Sequence, residues 1–275
     1  MIPVPKPLEL ASLEWLLAHH GAKELDRIGV VNDLGIAPDS DVLDVACGPC
    51  LWTNLLADKI GPSGRLYSLD LSMELLAYGK GRLRERPPRA PTTVVRANFQ
   101  ELPFPSASFD CIFFSNGLAY AANPLKALYE QKRVARPGGR VVARHWNNSV
   151  TIFHPVPVDL LFEVQLGVAR SLESQVGTPL RNFFGQRLHG LFLAADFQRI
   201  STKTSAVQFL APLSSDARNY LTEKAEWMGR RARPLMSSGN HSRWLSYFQE
   251  GSPNFILDRD DFYFCTIEIQ TTGRT

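Results

Sequence analysis

Cysteine is scarce in this chain: four in 275 residues, two of them inside one tetrapeptide. So few thiols exclude a disulfide framework as the source of stability. The six histidines, at positions 19, 20, 145, 154, 189 and 241, fall at no metal-ligand spacing, and Cys111 and Cys265 are isolated. A zinc site needs four ligands, usually in two pairs, so no metal is expected. Long apolar runs are missing as well. No stretch approaches the roughly 18 apolar residues of a membrane-spanning helix. The opening MIPVPKPLEL has neither the charged start nor the apolar core of a secretory signal. The expected location is cytoplasmic, with no membrane partner. An excess of one charge sign is lacking too: 30 basic against 27 acidic residues leave a net charge of +3. A nucleic-acid binder should carry a basic stripe. The most basic stretches here, GKGRLRERPPR (79–89) and MGRRARP (228–234), read as solvated helix ends, so no nucleic-acid partner is expected.

What is present is an alternation of two periodicities. Residues 7–20 repeat apolar positions at helical spacing through Leu10, Leu13, Leu16 and Leu17. DVLDVA (41–46) reads as a buried strand and LWTNLLADKI (51–60) as a helix stopped by GPSG. RLYSLD (65–70) is a second strand. Ser72 can cap the helix that follows, which Pro87 and Pro88 end. TTVVRAN (92–98) and FDCIFFSN (109–116) make strands three and four. A helix over 123–135, broken by RPGG (136–139), leads to a fifth strand over 140–146. Strands alternating with helices across short turns imply parallel βαβ units and an α/β, doubly wound sheet. Beyond 146 the pattern predicts helices over 159–172 and 187–197, a strand over 198–210, two helices within 213–249 and a strand over 262–270. The helices of 147–185 and 213–256 read as insertions into one domain.

The tetrapeptide CGPC, Cys47 to Cys50, admits three readings. It could be a redox pair like that of the thioredoxins, since Cys47 could supply a low-pKa thiolate at a helix N-terminus and Pro91-Thr92 precedes a strand. Against this, Ala46 stands where thioredoxins usually have tryptophan, and the chain continues through further strands. It could be half of a metal site, but no second half exists. Or it is a small-residue turn between a strand and a helix, where a ligand approaches backbone N–H groups closely. Asp70 ends the second strand about twenty residues later, where a carboxylate can accept both hydroxyls of a ribose. A dinucleotide would need G-x-G-x-x-G at this turn; the corresponding line runs Ala46, Gly48, Leu51.

At this point the chain resembles the class I S-adenosylmethionine-dependent methyltransferases, in particular the small-molecule group that includes the quinone C-methyltransferases. Their first motif, D/E-x-G/A-x-G-x-G, matches Asp44-Val45-Ala46-Cys47-Gly48-Pro49-Cys50. Their acid after the second strand matches Asp70. Their D-A-x-x-L-P-F segment matches Asn98-Phe99-Gln100-Glu101-Leu102-Pro103-Phe104, and their R-P-G-G turn is Arg136 to Gly139. The likeness spans roughly residues 40–146, which it marks as the cofactor-binding core. It implies a mostly parallel seven-stranded sheet, S-adenosylmethionine as cofactor, and a cap over the acceptor made by the two insertions. Carried over residue by residue, Asp44, Ala46 and Gly48 lie near the methionine and ribose portions, and Asp70 on the ribose hydroxyls. Leu71 packs on the adenine, Asn98 and Phe99 meet its edge, and Ser115 faces the same crevice. Two departures stand out. Cys50 replaces the last glycine, which predicts a displaced helix start or a thiol packed beneath the loop. Asn98 replaces the usual aspartate, keeping an oxygen acceptor without charge.

The fourth-strand loop, Ser115-Asn116-Gly117-Leu118, lacks the N/D-P-P-Y/F segment of the amino-methyltransferases of nucleic acid. The acceptor is therefore expected to be a small, largely apolar molecule, methylated on O, N or C. His145, at the predicted end of the fifth strand, is the candidate general base; a buried structural histidine is the alternative. His154 and His241 could line the acceptor pocket. The apolar insertion helices suit a lid or the interface of a homodimer. Two other functions remain open: the same fold assisting a non-methylating reaction such as a cyclisation, and a thioredoxin-like oxidoreductase using Cys47 and Cys50.

Overall fold

Strands joined by crossover helices build a seven-stranded sheet in the computed structural model, which describes residues 11–174 and 184–275. The first residues of the predicted 7–20 helix and the last of the 147–185 insertion lie outside the described residues. The strands are β1 (Asp41–Val45), β2 (Arg65–Asp70), β3 (Thr92–Arg96), β4 (Phe109–Ser115), β5 (Ala135–His154), β6 (Gln198–Leu210) and β7 (Tyr263–Arg274). Their order is β3-β2-β1-β4-β5-β7-β6, and β1 pairs in parallel with both β2 and β4. β1 is buried on both faces from Val42 to Val45, as a central parallel strand must be.

The helices are α1 (Leu13–Gly21), α2 (Glu24–Asp33), α3 (Leu51–Ile60), α4 (Met73–Glu85), α5 (Pro124–Val134), α6 (Val158–Ser174), α7 (Leu188–Ala194), α8 (Ser215–Ala232) and α9 (Ser238–Ser246). Their starts follow local chemistry. Ser72 caps α4 by accepting from Leu75 N–H at 3.3 Å, and Asn123 caps α5 ahead of Pro124. α2 escaped the periodicity reading because ELDRIGVVND mixes a glycine and β-branched residues, and it buries just Arg27 and Val31.

RPGG does not separate helix from strand. β5 starts at Ala135, directly after α5, and pairing jumps from Phe109↔Ala135 to Cys111↔Arg140. The segment is a bulge within the strand, with Gly138 at φ 74° supplying the bend. β5 also runs past the predicted end to His154.

Two compact units divide the chain. One takes residues 24–146, 184–204 and 268–275; the other takes residues up to 23, 147–183 and 205–267. The core of the first packs Val31, Leu34 and Ile36 with Trp52, Leu56 and Ile60 of α3 against Val42, Leu66, Phe113 and Val142. The second is helical, with α8 packed on α6 and α1. In the first unit the strand order reverses between β1 and β4. In doubly wound sheets a crevice opens outside the carboxyl ends of the strands at that reversal. There the loops after β1 and β4 touch: a Cβ on Gly117 would lie 2.7 Å from the Ala46 Cβ.

Candidate functional site

The β1–α3 loop carries a regular backbone signature. Ala46, Gly48 and Cys50 all have positive φ, at 53°, 54° and 59°. These are the three positions where the resembled motif allows glycine, and two now hold L-side chains. A left-handed conformation costs such residues roughly 1–2 kcal/mol each. At Cys50 the compensation is visible. Its thiol, 1% exposed, packs with Cys47 and Leu76, and α4 offers it a glycine: a Cβ on Gly79 would sit 2.6 Å from the Cys50 Sγ. The helix start is therefore not displaced, and the cysteine is tucked beneath the loop. Cys50 also leaves α3 without a side-chain cap, so its first N–H groups remain for a ligand.

Asp44 stands at the carboxyl end of β1, 1% exposed. Thr53 Oγ1 donates to its Oδ2 at 2.8 Å and lies 3.2 Å from the Ser68 hydroxyl. Its Oδ1 takes no hydrogen bond from the described residues. Burial pushes the carboxyl up to about 7; the Thr53 hydrogen bond opposes this, and the charge of Asp70 adds to it. Asp70 clasps two loops, accepting from Gly48 N–H and Ser72 N–H, both at 2.9 Å. Burial raises its pKa, and those backbone donors hold it back. Cys47 N–H donates to Leu69 O at 2.9 Å, which fixes the loop against β2.

The other predicted contacts line the same end of the sheet. Leu71 is half-buried, and its carbonyl accepts from Arg96 Nε at 3.1 Å. Phe99 is half-buried with its ring 5.1 Å from that of Phe114. Asn98 is exposed, and its Oδ1 already accepts from Gln100 N–H at 3.0 Å. Its amide NH₂ is thus the group left facing out. Ser115 is half-buried beside Asn116.

The redox reading is not favoured. Cys47 and Cys50 are free thiols with Sγ atoms 3.9 Å apart, both buried. The Cys50 contact, burial and the charges of Asp44 and Asp70 together drive Cys47 well above the ordinary thiol pKa. A thiol exchanging disulfides needs the opposite shift. Among the described residues no cluster of three or more metal-ligating side chains exists.

His145 lies inside β5, not at its end, because the alternating run after it extends the strand. It is nonetheless level with the crevice: Asn116 N–H donates to Arg144 O, and Asn116 Oδ1 accepts from Trp146 N–H. Its Nδ1 is 2.8 Å from the Trp146 carbonyl and must therefore donate. Its Nε2 is buried and finds no hydrogen-bond partner among the described residues. Burial lowers its pKa to about 4, so the ring is neutral, and the bare nitrogen is Nε2. The ring lies between those of Trp146 and Phe184, each 5.3 Å away. His154 and His241 belong to the helical unit, where His154 is exposed 3.7 Å from Asp261. Sequence reasoning missed Thr53, which holds Asp44, and Asn116, which ties β4 to β5. The Asn-Gly pair at 116–117 was the signal for the latter, since asparagine tolerates the φ of 60° found there.

Comparison with known proteins follows this geometry. Residues 43–143 match the family described as a methyltransferase domain. A demethylmenaquinone methyltransferase of Anoxybacillus flavithermus is 38% identical over 116 residues, 42% of this chain and 48% of that protein. The chain thus spans about half the length of such curated relatives. An uncharacterised 37.1 kDa protein in transposon Tn4556 of Streptomyces fradiae is 29% identical over 254 residues, 89% of this chain and 68% of that protein. Among solved structures, a putative methyltransferase of Bacillus halodurans superposes with a TM-score of 0.58 at 15% identity, over 91% of this chain and 98% of that one.

Proposed function

We propose that this chain, which carries a class I S-adenosylmethionine-dependent methyltransferase domain, transfers the cofactor's methyl group to a small, largely apolar organic acceptor. The observation that carries this reading is the pair of carboxylates without a cation among the described residues, Asp44 and Asp70, at the carboxyl ends of the neighbouring strands β1 and β2 beside the β1/β4 reversal. The residues fit the cofactor on two counts. Asp44 is a carboxyl whose ionised form lacks a cation, and Asp70 retains acceptor capacity beside its two backbone donors. When bound, the cofactor supplies a methyl group already activated on sulfur, so the protein's work is placement and exclusion of water.

Asp44 would face the cationic portion of the cofactor, and the uncapped N-terminus of α3 its carboxylate. Asp70 would hold the ribose. Leu71, Asn98 and Phe99 would bound the adenine, with Ala46, Gly48 and Ser115 lining the approach. His145 Nε2, bare and buried, accepts a proton from an acceptor hydroxyl as the methyl group moves. The lowered pKa keeps the ring neutral near pH 7, the form that can accept a proton.

Calorimetric titration of the reduced protein with S-adenosylhomocysteine, beside NAD, tests the cofactor assignment. Saturable binding of the former alone is expected; binding of NAD, or of neither, overturns it. For a candidate acceptor, a product heavier by one methyl group supports transfer. An isomerised product of unchanged mass overturns it in favour of an assisted cyclisation. Among the described residues no helix is long and apolar enough to cross a membrane.

A further inference from the structure

The amino ends of the parallel strands hold a second feature that the methyl-transfer reading leaves unused. A cavity of about 460 Å³ opens there, lined by the turn before β1 (Gly35 to Ser40), the start of β4 and the ends of β5 and β7. The four to five residues of β4 between Cys111 and the crevice put it on the order of 15 Å from the cofactor loops. Three arginines reach it: Arg136, Arg140 and Arg274.

Their situations differ. Arg136 is saturated, one nitrogen on Asp41 Oδ2 at 2.7 Å and the other on Asp110 Oδ2. Those two carboxylates are likewise committed: Asp41 also accepts from Arg65 Nε, and Asp110 from Asp41 N–H. Arg140 makes no ion pair or hydrogen bond among the described residues. It is held close over the turn instead, since a Cβ on Gly35 would sit 3.0 Å from its Nη1. Arg274 donates to the Gly138 carbonyl at 2.8 Å and likewise meets no carboxylate among the described residues. Both guanidinium charges act on the same buried thiol, Cys111, which forms part of the cavity wall. Two half-buried arginines that line one cavity, with the neighbouring acids already paired, leave two cationic forks open to an anion. Asp39, at the exposed lip, is the remaining acid of the lining.

We infer that this cavity is a binding site for a small oxyanion-bearing molecule, a phosphate ester or a polycarboxylate, held between Arg140 and Arg274. Guanidinium groups recognise such oxygens in pairs, through a planar fork that matches phosphate and carboxylate geometry. The volume falls within the range of small-molecule pockets and exceeds what a lone inorganic phosphate fills.

Calorimetry of the full chain with pyrophosphate, inorganic phosphate and citrate as separate probes tests the inference. Saturable one-to-one binding of at least one probe is expected, with the tighter class identifying phosphate or carboxylate as the natural chemistry. Arg140→Gln and Arg274→Gln should each weaken that binding about tenfold or more and leave S-adenosylhomocysteine affinity unchanged. The two arginines lie on different strands, so a folding defect in one variant leaves the other as the test. No saturable binding of any probe, or binding unaltered in a folded variant, overturns the inference.

Discussion

The two ends of the same parallel strands hold their carboxylates in opposite ways. At the amino ends Asp41 and Asp110 share the fork of Arg136, and each carboxylate has its cation in the protein. At the carboxyl ends Asp44 and Asp70 stand without a cation; their partners are a hydroxyl and backbone N–H groups, and burial raises both pKa values. Carboxylates paired internally need no cation from a ligand. An end whose carboxylates are held by neutral donors gains from a ligand that brings positive charge or hydroxyl groups. This difference is what supports the proposed placement of the cofactor at the carboxyl ends.

The largest expected effect comes from removing the unpaired charge. The folded pKa of Asp44 is raised from 3.8 to about 7, which corresponds to roughly 4 kcal/mol. Its protonated form is favoured by folding, so this contribution is complete below pH 3.8 and is lost as pH rises through 7. His145 runs the other way. Its pKa is lowered from 6.5 to about 4, so its contribution, roughly 3 kcal/mol, is complete above pH 6.5 and is lost as pH falls toward 4. The two slopes nearly cancel in the wild type between pH 4 and 7. Asp44→Asn should unmask His145, making stability rise with pH over that window; His145→Gln should unmask Asp44 and make it fall. Urea denaturation at pH 4, 5.5 and 7 measures this. A flat profile in both variants would remove the contrast between the ends. A cation bound beside Asp44 should also release a proton near pH 7, read as a dependence of the binding enthalpy on buffer ionisation.

Next in size is Asp70→Ala. The substitution frees Gly48 and Ser72 N–H groups and deletes a charge-assisted acceptor worth about 1.5–3 kcal/mol. S-adenosylhomocysteine affinity should fall by roughly ten- to a hundredfold, whereas pyrophosphate binding at the opposite end stays as it was. Unchanged cofactor affinity would mean that Asp70 merely clasps the loops.

Much of this was legible in the sequence, and the failures have physical causes. The boundaries of α3, β2 and β6 follow directly from the sequence, since helical spacing, turn clusters and alternation agree there. RPGG was read as a break because proline and glycines punctuate locally; strand pairing across the bulge is non-local and invisible to that signal. The end of β5 was missed for the same reason. The strand-end positions of Asp44 and Asp70 can be read from the pattern, and their cofactor roles only from the resemblance; Thr53 cannot be read at all, because the Asp44–Thr53 contact depends on how α3 seats on β1. Nor could Cys50 be understood without Gly79, a compensation between residues 29 positions apart that is a matter of packing alone.

That compensation gives a further test. Gly79→Ala would place a Cβ 2.6 Å from the Cys50 Sγ and 3.0 Å from the Pro49 carbonyl carbon. Overpacking of this kind costs about 1–3 kcal/mol. Cys50→Gly relieves both the clash and the left-handed strain while deleting a buried thiol. The double variant should therefore lie closer to wild type than the sum of the singles. Additivity within about 0.5 kcal/mol would show that the loop and α4 are not coupled. Because packing sets this term, high salt should leave it unaltered.

The smallest effect belongs to the internally paired end and should respond to salt. Arg136→Ala leaves Asp41 and Asp110 facing each other without their shared cation. The arginine side chain is 39% exposed, so water replaces part of the lost interaction, and the expected loss is about 1 kcal/mol. Raising the ionic strength from 0.05 to about 0.5 M should shrink the difference between variant and wild type, since exposed charges are screened over a few ångströms at that concentration. A loss well above this, insensitive to salt, would mean that the pairing at the amino ends acts as a buried network; the two ends would then differ in the sign of their charges but not in how firmly the protein holds them.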